Sequence, residues 1–265
     1  MLANFIAALA GLVAGMLINY LADILPVRRR IARPVCLYCG TPQRLPNYLL
    51  WPRRCPNCGR SRGARVWVVE GLAVVAAVWF WNSPEVVRQL GPVAGAVVLV
   101  YFAVVVVIDV EHRLILHPVS RFGAVMAALI GVALHGVWPA LIGGVVGYGV
   151  MLGLYYLGHL FVRLVSKIQG KPLDEVALGF GDVNLSGVLG LLLGWPNVLV
   201  GLFLSILLAG FASLVLVLVR LAARRFRAFI AIPYGPFLIG GAVMLLYFPA
   251  FTQKVLSSLS PLLAR

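Results

Sequence analysis

Charge is scarce in this 265-residue chain, and acid is scarcer still. Charged residues make up 11% of it, with only eight Asp or Glu against twenty-two Lys or Arg, a net charge of +14. Apolar residues reach 62% and the mean hydropathy is +1.00. So little charge excludes a soluble globular domain and points to a chain that crosses a membrane many times. In a soluble protein the basic excess would suggest nucleic acid. No groove-reading motif or aromatic–basic interleaving accompanies it, so no nucleic-acid partner is expected. There is no internal repeat and no low-complexity tail. The first apolar run, Leu2 to Leu21, lacks a basic leading region and a small-residue cleavage site, so it reads as a retained span rather than a signal peptide. His135 and His159 have no ligand-like spacing and read as packing or interfacial residues.

The expected fold is an all-α polytopic membrane protein of about eight transmembrane helices. Span 1 covers about residues 2–23, and further apolar runs lie at 66–82, 91–110, 118–137, 138–162, 178–194, 197–219 and 230–250. Between the first two runs, Pro26 to Arg65 holds ten arginines, four cysteines and no acid. This divides the chain into a first helix (1–25), an extramembrane cysteine loop (26–65) and a membrane domain (66–265). Eight spans would place nineteen of the basic residues on one side and three on the other. That side is predicted to be cytoplasmic, because Lys and Arg collect in cytoplasmic loops. Asp109 and Asp182 then fall at the cytoplasmic ends of spans 3 and 6, at one depth.

Those two aspartates are the sharpest functional signal. Each lies in or beside an apolar run, where an ionised carboxylate is costly and marks a functional site by default. A pair brought together can share a proton and act as acid and base on water and a peptide bond. Alone, each could equally end a span. Gly179 and Gly181, in Gly179-Phe180-Gly181-Asp182, would let backbone and substrate approach Asp182. Glu111, two residues beyond Asp109, reads as interfacial and could tune the charge of Asp109. Asp174 and Glu175 share a short loop with Lys171 and read as solvated.

Cys36-Leu37-Tyr38-Cys39 and Cys55-Pro56-Asn57-Cys58 have the spacing of a two-knuckle site in which four thiolates close around a structural zinc. Two disulfides are the rival, disfavoured in a reducing cytoplasm. Glu70, opening span 2, could pair with an arginine of the loop or contact a ligand amine.

Taken in order, these residues resemble the type IV prepilin peptidases, polytopic aspartic endopeptidases with a glycine-x-glycine-aspartate motif. The resemblance runs through Gly15, Asn19 and Leu25-Pro26, the cysteine pairs and Val69-Glu70. It continues with Ile108-Asp109-x-Glu111-His112, Gly179-x-Gly181-Asp182-Val183, Gly190, Gly194-Trp195, and Ile232-Pro233-Tyr234-Gly235-Pro236-Phe237-Leu238. It implies a bacterial inner-membrane enzyme that cleaves prepilin or pseudopilin leaders after a glycine at the cytoplasmic face, with Asp109 and Asp182 catalytic. Bifunctional members carry the cysteine loop and also N-methylate the new amino terminus from S-adenosylmethionine, a step in which Glu70 would take part. Rival readings are an intramembrane aspartyl protease without methyl transfer and a non-enzymatic assembly factor. Departures from the family bear on these choices. The cysteine loop is short, Arg53-Arg54 precede Cys55 where a glycine and one basic residue are commoner, and Pro118 falls two residues later than the family's Ile-Pro.

Overall fold

A computed structural model describes residues 1–36, 38–49, 53–169, 178–222 and 233–250. The loop with Lys171, Asp174 and Glu175, the basic residues Arg224, Arg225, Arg227, Lys254 and Arg265, Ile232, and the start of the run expected from 230 lie outside them.

The described residues form ten helices and no strand beyond two isolated bridges. In chain order they are α1 Leu2–Arg28, α2 Leu45–Leu49, α3 Ala64–Trp81, α4 Pro84–Leu90, α5 Pro92–His112, α6 His117–His135, α7 Val137–Gln169, α8 Phe180–Leu193, α9 Asn197–Ala222 and α10 Gly235–Tyr247. Six of them, α1, α3, α5, α6, α7 and α9, are long and apolar enough to cross a membrane. With the shorter apolar α8 and α10, they occupy the eight expected positions. The chain is thus an all-α polytopic membrane protein. One helix is short where its apolar run is short, and one runs past its expected end. α8 has 14 residues, about 21 Å at 1.5 Å per residue, short of a hydrocarbon core of about 30 Å. α7 has 33 residues and runs past the expected end at 162, carrying Arg163 and Lys167 on its last turns.

The chain packs as two compact units, Met1–His112 and Arg113–Arg265. In the first, α1 lies antiparallel to α3 along Gly11 and Gly15. A Cβ on Gly15 would lie 2.8 Å from Glu70 Cα, so the two helices meet backbone to backbone as small residues allow in membranes. In the second, α8 contacts α6, α7, α9 and α10, and most of its side chains are buried. Gly143, Gly144 and Gly147 of α7 face Ser186, Gly187 and Gly190 of α8. A Cβ on Gly144 would lie 2.7 Å from Leu191 Cδ2.

Candidate active site and metal centre

The cysteine loop folds as two matching knuckles. In the first, Cys36 N–H donates to Thr41 O (2.9 Å) and Gly40 N–H to Cys36 O (2.9 Å). In the second, Cys55 N–H donates to Arg60 O (3.0 Å) and Gly59 N–H to Cys55 O (2.9 Å). Gly40 and Gly59 sit at φ +70° and +68°, in the left-handed region that only glycine adopts freely, which explains the glycine after each cysteine pair. The knuckles bring all four Sγ atoms within 4.8 Å of one another. Cys36 and Cys58 are 3.7 Å apart and Cys39 and Cys55 3.5 Å. A tetrahedral ion with metal–sulfur bonds of about 2.3 Å spaces its ligands by about 3.8 Å, whereas a disulfide needs about 2.05 Å. All four thiols are free. Hydrogen bonds with the Thr41 side chain and backbone lower the Cys39 thiol to about 6. At Cys58 a backbone hydrogen bond with Arg60 is outweighed by burial and the neighbouring cysteines, which push the thiol up to about 11; four crowded sulfurs do not all ionise unless a cation shares them. The four cysteines therefore form a candidate metal centre.

Glu70 is buried where α3 leaves the loop. Its Oε2 accepts from Arg53 Nη1 at 2.9 Å, and its Oε1 lies 3.5 Å from Asn19 Nδ2, which also donates to Val66 O at 3.1 Å. Gly15, Asn19 and Glu70, three residues of the family resemblance far apart in sequence, thus meet at one point. Arg53 completes the group. It has φ +52°, conformationally costly for a side-chain-bearing residue. A glycine at this position would carry no such cost. Arg53 is held by Glu70, by Leu49 O at 2.7 Å, and by the Trp67 ring 4.7 Å below its guanidinium.

A second network was not singled out from sequence. Asp23, buried near the end of α1, accepts from Arg62, Arg65 and the Tyr48 hydroxyl. Arg62 also lies over the Tyr48 ring, 4.0 Å from its centroid. Arg65 reaches on to Glu111 at 3.0 Å, so Glu111 pairs with an arginine. Burial, reinforced by the Asp23 carboxylate, raises the Tyr48 phenol well above its ordinary value; it stays a donor. Gly15, Asn19 and Asp23 recur every four residues on one face of α1, a polar stripe that could have exposed Asp23. These groups border a cavity of about 190 Å³ beside Cys36. Removing one partner from a buried ion pair typically costs about 3–5 kcal/mol. Asp23→Ala is therefore expected to lower the melting temperature in detergent by several degrees and make the 26–65 loop protease-sensitive. Unchanged melting and proteolysis would show the network to be dispensable.

Asp109 lies in the last turn of α5, 5% exposed, and Asp182 in the first turn of α8, 8% exposed. Asp109 belongs to the first unit and Asp182 to the second. Asp182 Oδ2 accepts from Gly179 N–H at 3.2 Å, so the carboxylate caps its own helix, where negative charge is favoured by the helix dipole. The two glycines serve its packing. A Cβ on Gly179 would crowd Asp182 Oδ2 at 3.3 Å, and one on Gly181 would lie 2.8 Å from Ile115 Cβ. The room at Gly181 is filled by Ile115 rather than left open. The histidines pack as expected: His159 stacks on Tyr155 at 4.3 Å, and His135 lies where a Cβ on Gly194 would touch its ring.

A multi-span helical membrane protein with buried carboxylates at two helix ends and a four-thiol knuckle outside its spans is the class these features define. Residues 96–214, which include both aspartates, match the type IV leader peptidase family. The resemblance read from its motifs is borne out by this match and by the relatives that follow. Relatives named prepilin leader peptidase/N-methyltransferase match over most of the chain. The one from Aeromonas hydrophila is 28% identical over 247 residues, 88% of this chain and 78% of the relative. That from Burkholderia pseudomallei is 29% identical over 245 residues, 85% and 71%. That from Stutzerimonas stutzeri is 31% identical over 214 residues, 77% and 65%. No solved structure matches the chain significantly.

Proposed function

We propose that this protein is a prepilin leader peptidase of the bacterial inner membrane that also N-methylates the product. The observation that carries the peptidase reading is the match over 96–214, which spans both buried aspartates. In this reading the 26–65 loop is the methyl-transfer part and 66–265 the peptidase part, both working at the cytoplasmic face. A prepilin or pseudopilin inserts its apolar helix in the bilayer and leaves its basic leader in the cytoplasm. Of Asp109 and Asp182, one is ionised and takes a proton from water as it attacks the scissile carbonyl. The other is protonated, polarises that carbonyl, and the departing amine is protonated afterwards.

The cysteine centre fits zinc by ligand type and spacing. Four thiolates leave no open position, so this ion holds the loop together. S-adenosylmethionine, when bound, supplies an electrophilic methyl group. The charged groups that border the cavity beside Cys36, Arg62, Arg65 and Glu111, are already paired with Asp23 and with one another, so they would have to exchange partners to hold it. Glu70 would orient the incoming amine or accept its proton.

One observation favours a peptidase without methyl transfer: Arg53 already occupies Glu70. Mass spectrometry of mature pilin from the native cell separates the readings. A shortened pilin bearing one methyl, about 14 Da, on its first residue supports the bifunctional enzyme; a free amine on fully processed pilin supports the peptidase alone. Arg53→Gly relieves the positive φ and frees Glu70, but it also leaves that buried carboxylate without its arginine, so proteolysis of the 26–65 loop is followed alongside. If Arg53 restrains methyl transfer, the methylated fraction should rise several-fold with cleavage unchanged. No rise would mean that Arg53 only supports the loop.

A further inference from the structure

A cleft of about 540 Å³ lies between α6, α7 and α8 in the second unit. One end is polar: His117, Ser120 and Arg121 of the first turns of α6, with Asn184 of α8. The rest is apolar, lined by residues such as Leu141 and Val145 of α7. Its floor is the close-packed seam between α7 and α8, where Gly144 and Gly187 line the cleft beside Tyr148 and Leu191.

Two features of the polar end call for a ligand. Ser120 is 8% exposed and its Oγ has no hydrogen-bond partner, a buried hydroxyl that typically costs about 1–3 kcal/mol when left unpaired. Arg121 is exposed and has no ion pair among the described residues. A hydroxyl and a cation at the head of an apolar slot complement a phosphate that carries an acyl chain. Basic pockets between membrane helices on the cytoplasmic side commonly hold anionic lipid headgroups. A whole helix does not fit inside the cleft. A helix of about 11 Å diameter occupies roughly 1,400 Å³ over ten residues, well above the volume of the cleft, whereas a single acyl chain is slender enough to enter.

We infer that this cleft binds one anionic phospholipid, its phosphate held by Ser120 and Arg121 and an acyl chain lying along the α7–α8 seam. The assignment goes beyond the peptidase reading and stands if that reading fails. It has a consequence for that reading all the same. Asn184 is two residues from Asp182, so a phosphate held here would set negative charge near the entry of a basic leader.

Native mass spectrometry of the full chain in mild detergent tests this, with phosphatidylglycerol and phosphatidylethanolamine of matched acyl chains as probes and inorganic phosphate as competitor. Wild type should retain one phosphatidylglycerol in preference to phosphatidylethanolamine. Arg121→Gln, at an exposed position that does not threaten folding, should reduce that preference about five-fold. Ala124→Trp, which fills the cleft below the polar end, should lower occupancy by both lipids. Equal retention of the two lipids by wild type, an unchanged preference in Arg121→Gln, or unchanged occupancy in Ala124→Trp would each overturn the assignment. So would displacement of phosphatidylglycerol by millimolar inorganic phosphate, because the site would then recognise a headgroup without its chain.

Discussion

Asp109→Asn and Asp182→Asn should each abolish leader cleavage while leaving the protein inserted and folded. General acid–base catalysis by a positioned carboxyl contributes about 10²–10⁴-fold, and a dyad in which each member is needed loses at least that when either becomes an amide. Asn is the right replacement because it keeps the shape. At 182 its side-chain oxygen can still accept from Gly179 N–H, the bond that caps α8 at 3.2 Å. At 109 it fills the same buried volume at the end of α5. Loss of stability is therefore a poor explanation for loss of activity, and melting in detergent would verify this. The measurement is cleavage of a purified prepilin, followed by the shift in its mass. An inserted variant of either kind that cleaves near the wild-type rate would remove that aspartate from the chemistry.

Much of this molecule could be read before its coordinates. Long apolar runs placed the eight apolar helices because a membrane span needs such a run whatever its neighbours are. Helix lengths were less legible. α8 does end where its apolar run to 194 ends, because Gly194, in a positive-φ conformation, stops it. α7 continues past 162 because Arg163 and Lys167 interrupt the apolar run without breaking a helix. The cysteine cluster was legible because knuckle geometry is local, with four ligands, two glycines and fixed spacings. The polar pairings were not. Arg53 with Glu70, and Asp23 with Arg62 and Arg65, depend on which of ten loop arginines folds back onto α1 and α3, and no spacing rule selects them. Nor does sequence reveal that Arg53 takes a positive φ, or that Ile115 fills the room at Gly181. Both follow from tertiary packing.

The second large effect concerns the metal. Purified protein should carry about one zinc per chain, and Cys36→Ser or Cys55→Ser should remove it. These two cysteines are the buried pair, 7% and 3% exposed, so a serine there loses a ligand and leaves a polar atom inside. Structural zinc sites of this kind contribute about 10–16 kcal/mol of apparent binding free energy at neutral pH, most of it folding free energy of the surrounding loop. Few alternatives exist to hold this loop. Besides the four cysteines, its described residues form one five-residue helix, two isolated bridges and ion pairs to the membrane helices. Those ion pairs depend on the knuckles for their register. Arg53 lies two residues before Cys55 and Arg62 four after Cys58, so unfolding the second knuckle detaches Glu70 and Asp23 together. A chelator applied to the wild type should reproduce the variant's protease sensitivity in the 26–65 loop, and readdition of zinc should reverse it. Methyl transfer, if present, should fall further than cleavage, because Glu70 and the cavity beside Cys36 border the loop. Zinc-free protein with its four thiols paired as disulfides would overturn the assignment. Equal loss of cleavage and methylation in Cys36→Ser would instead make the loop a requirement of the whole enzyme.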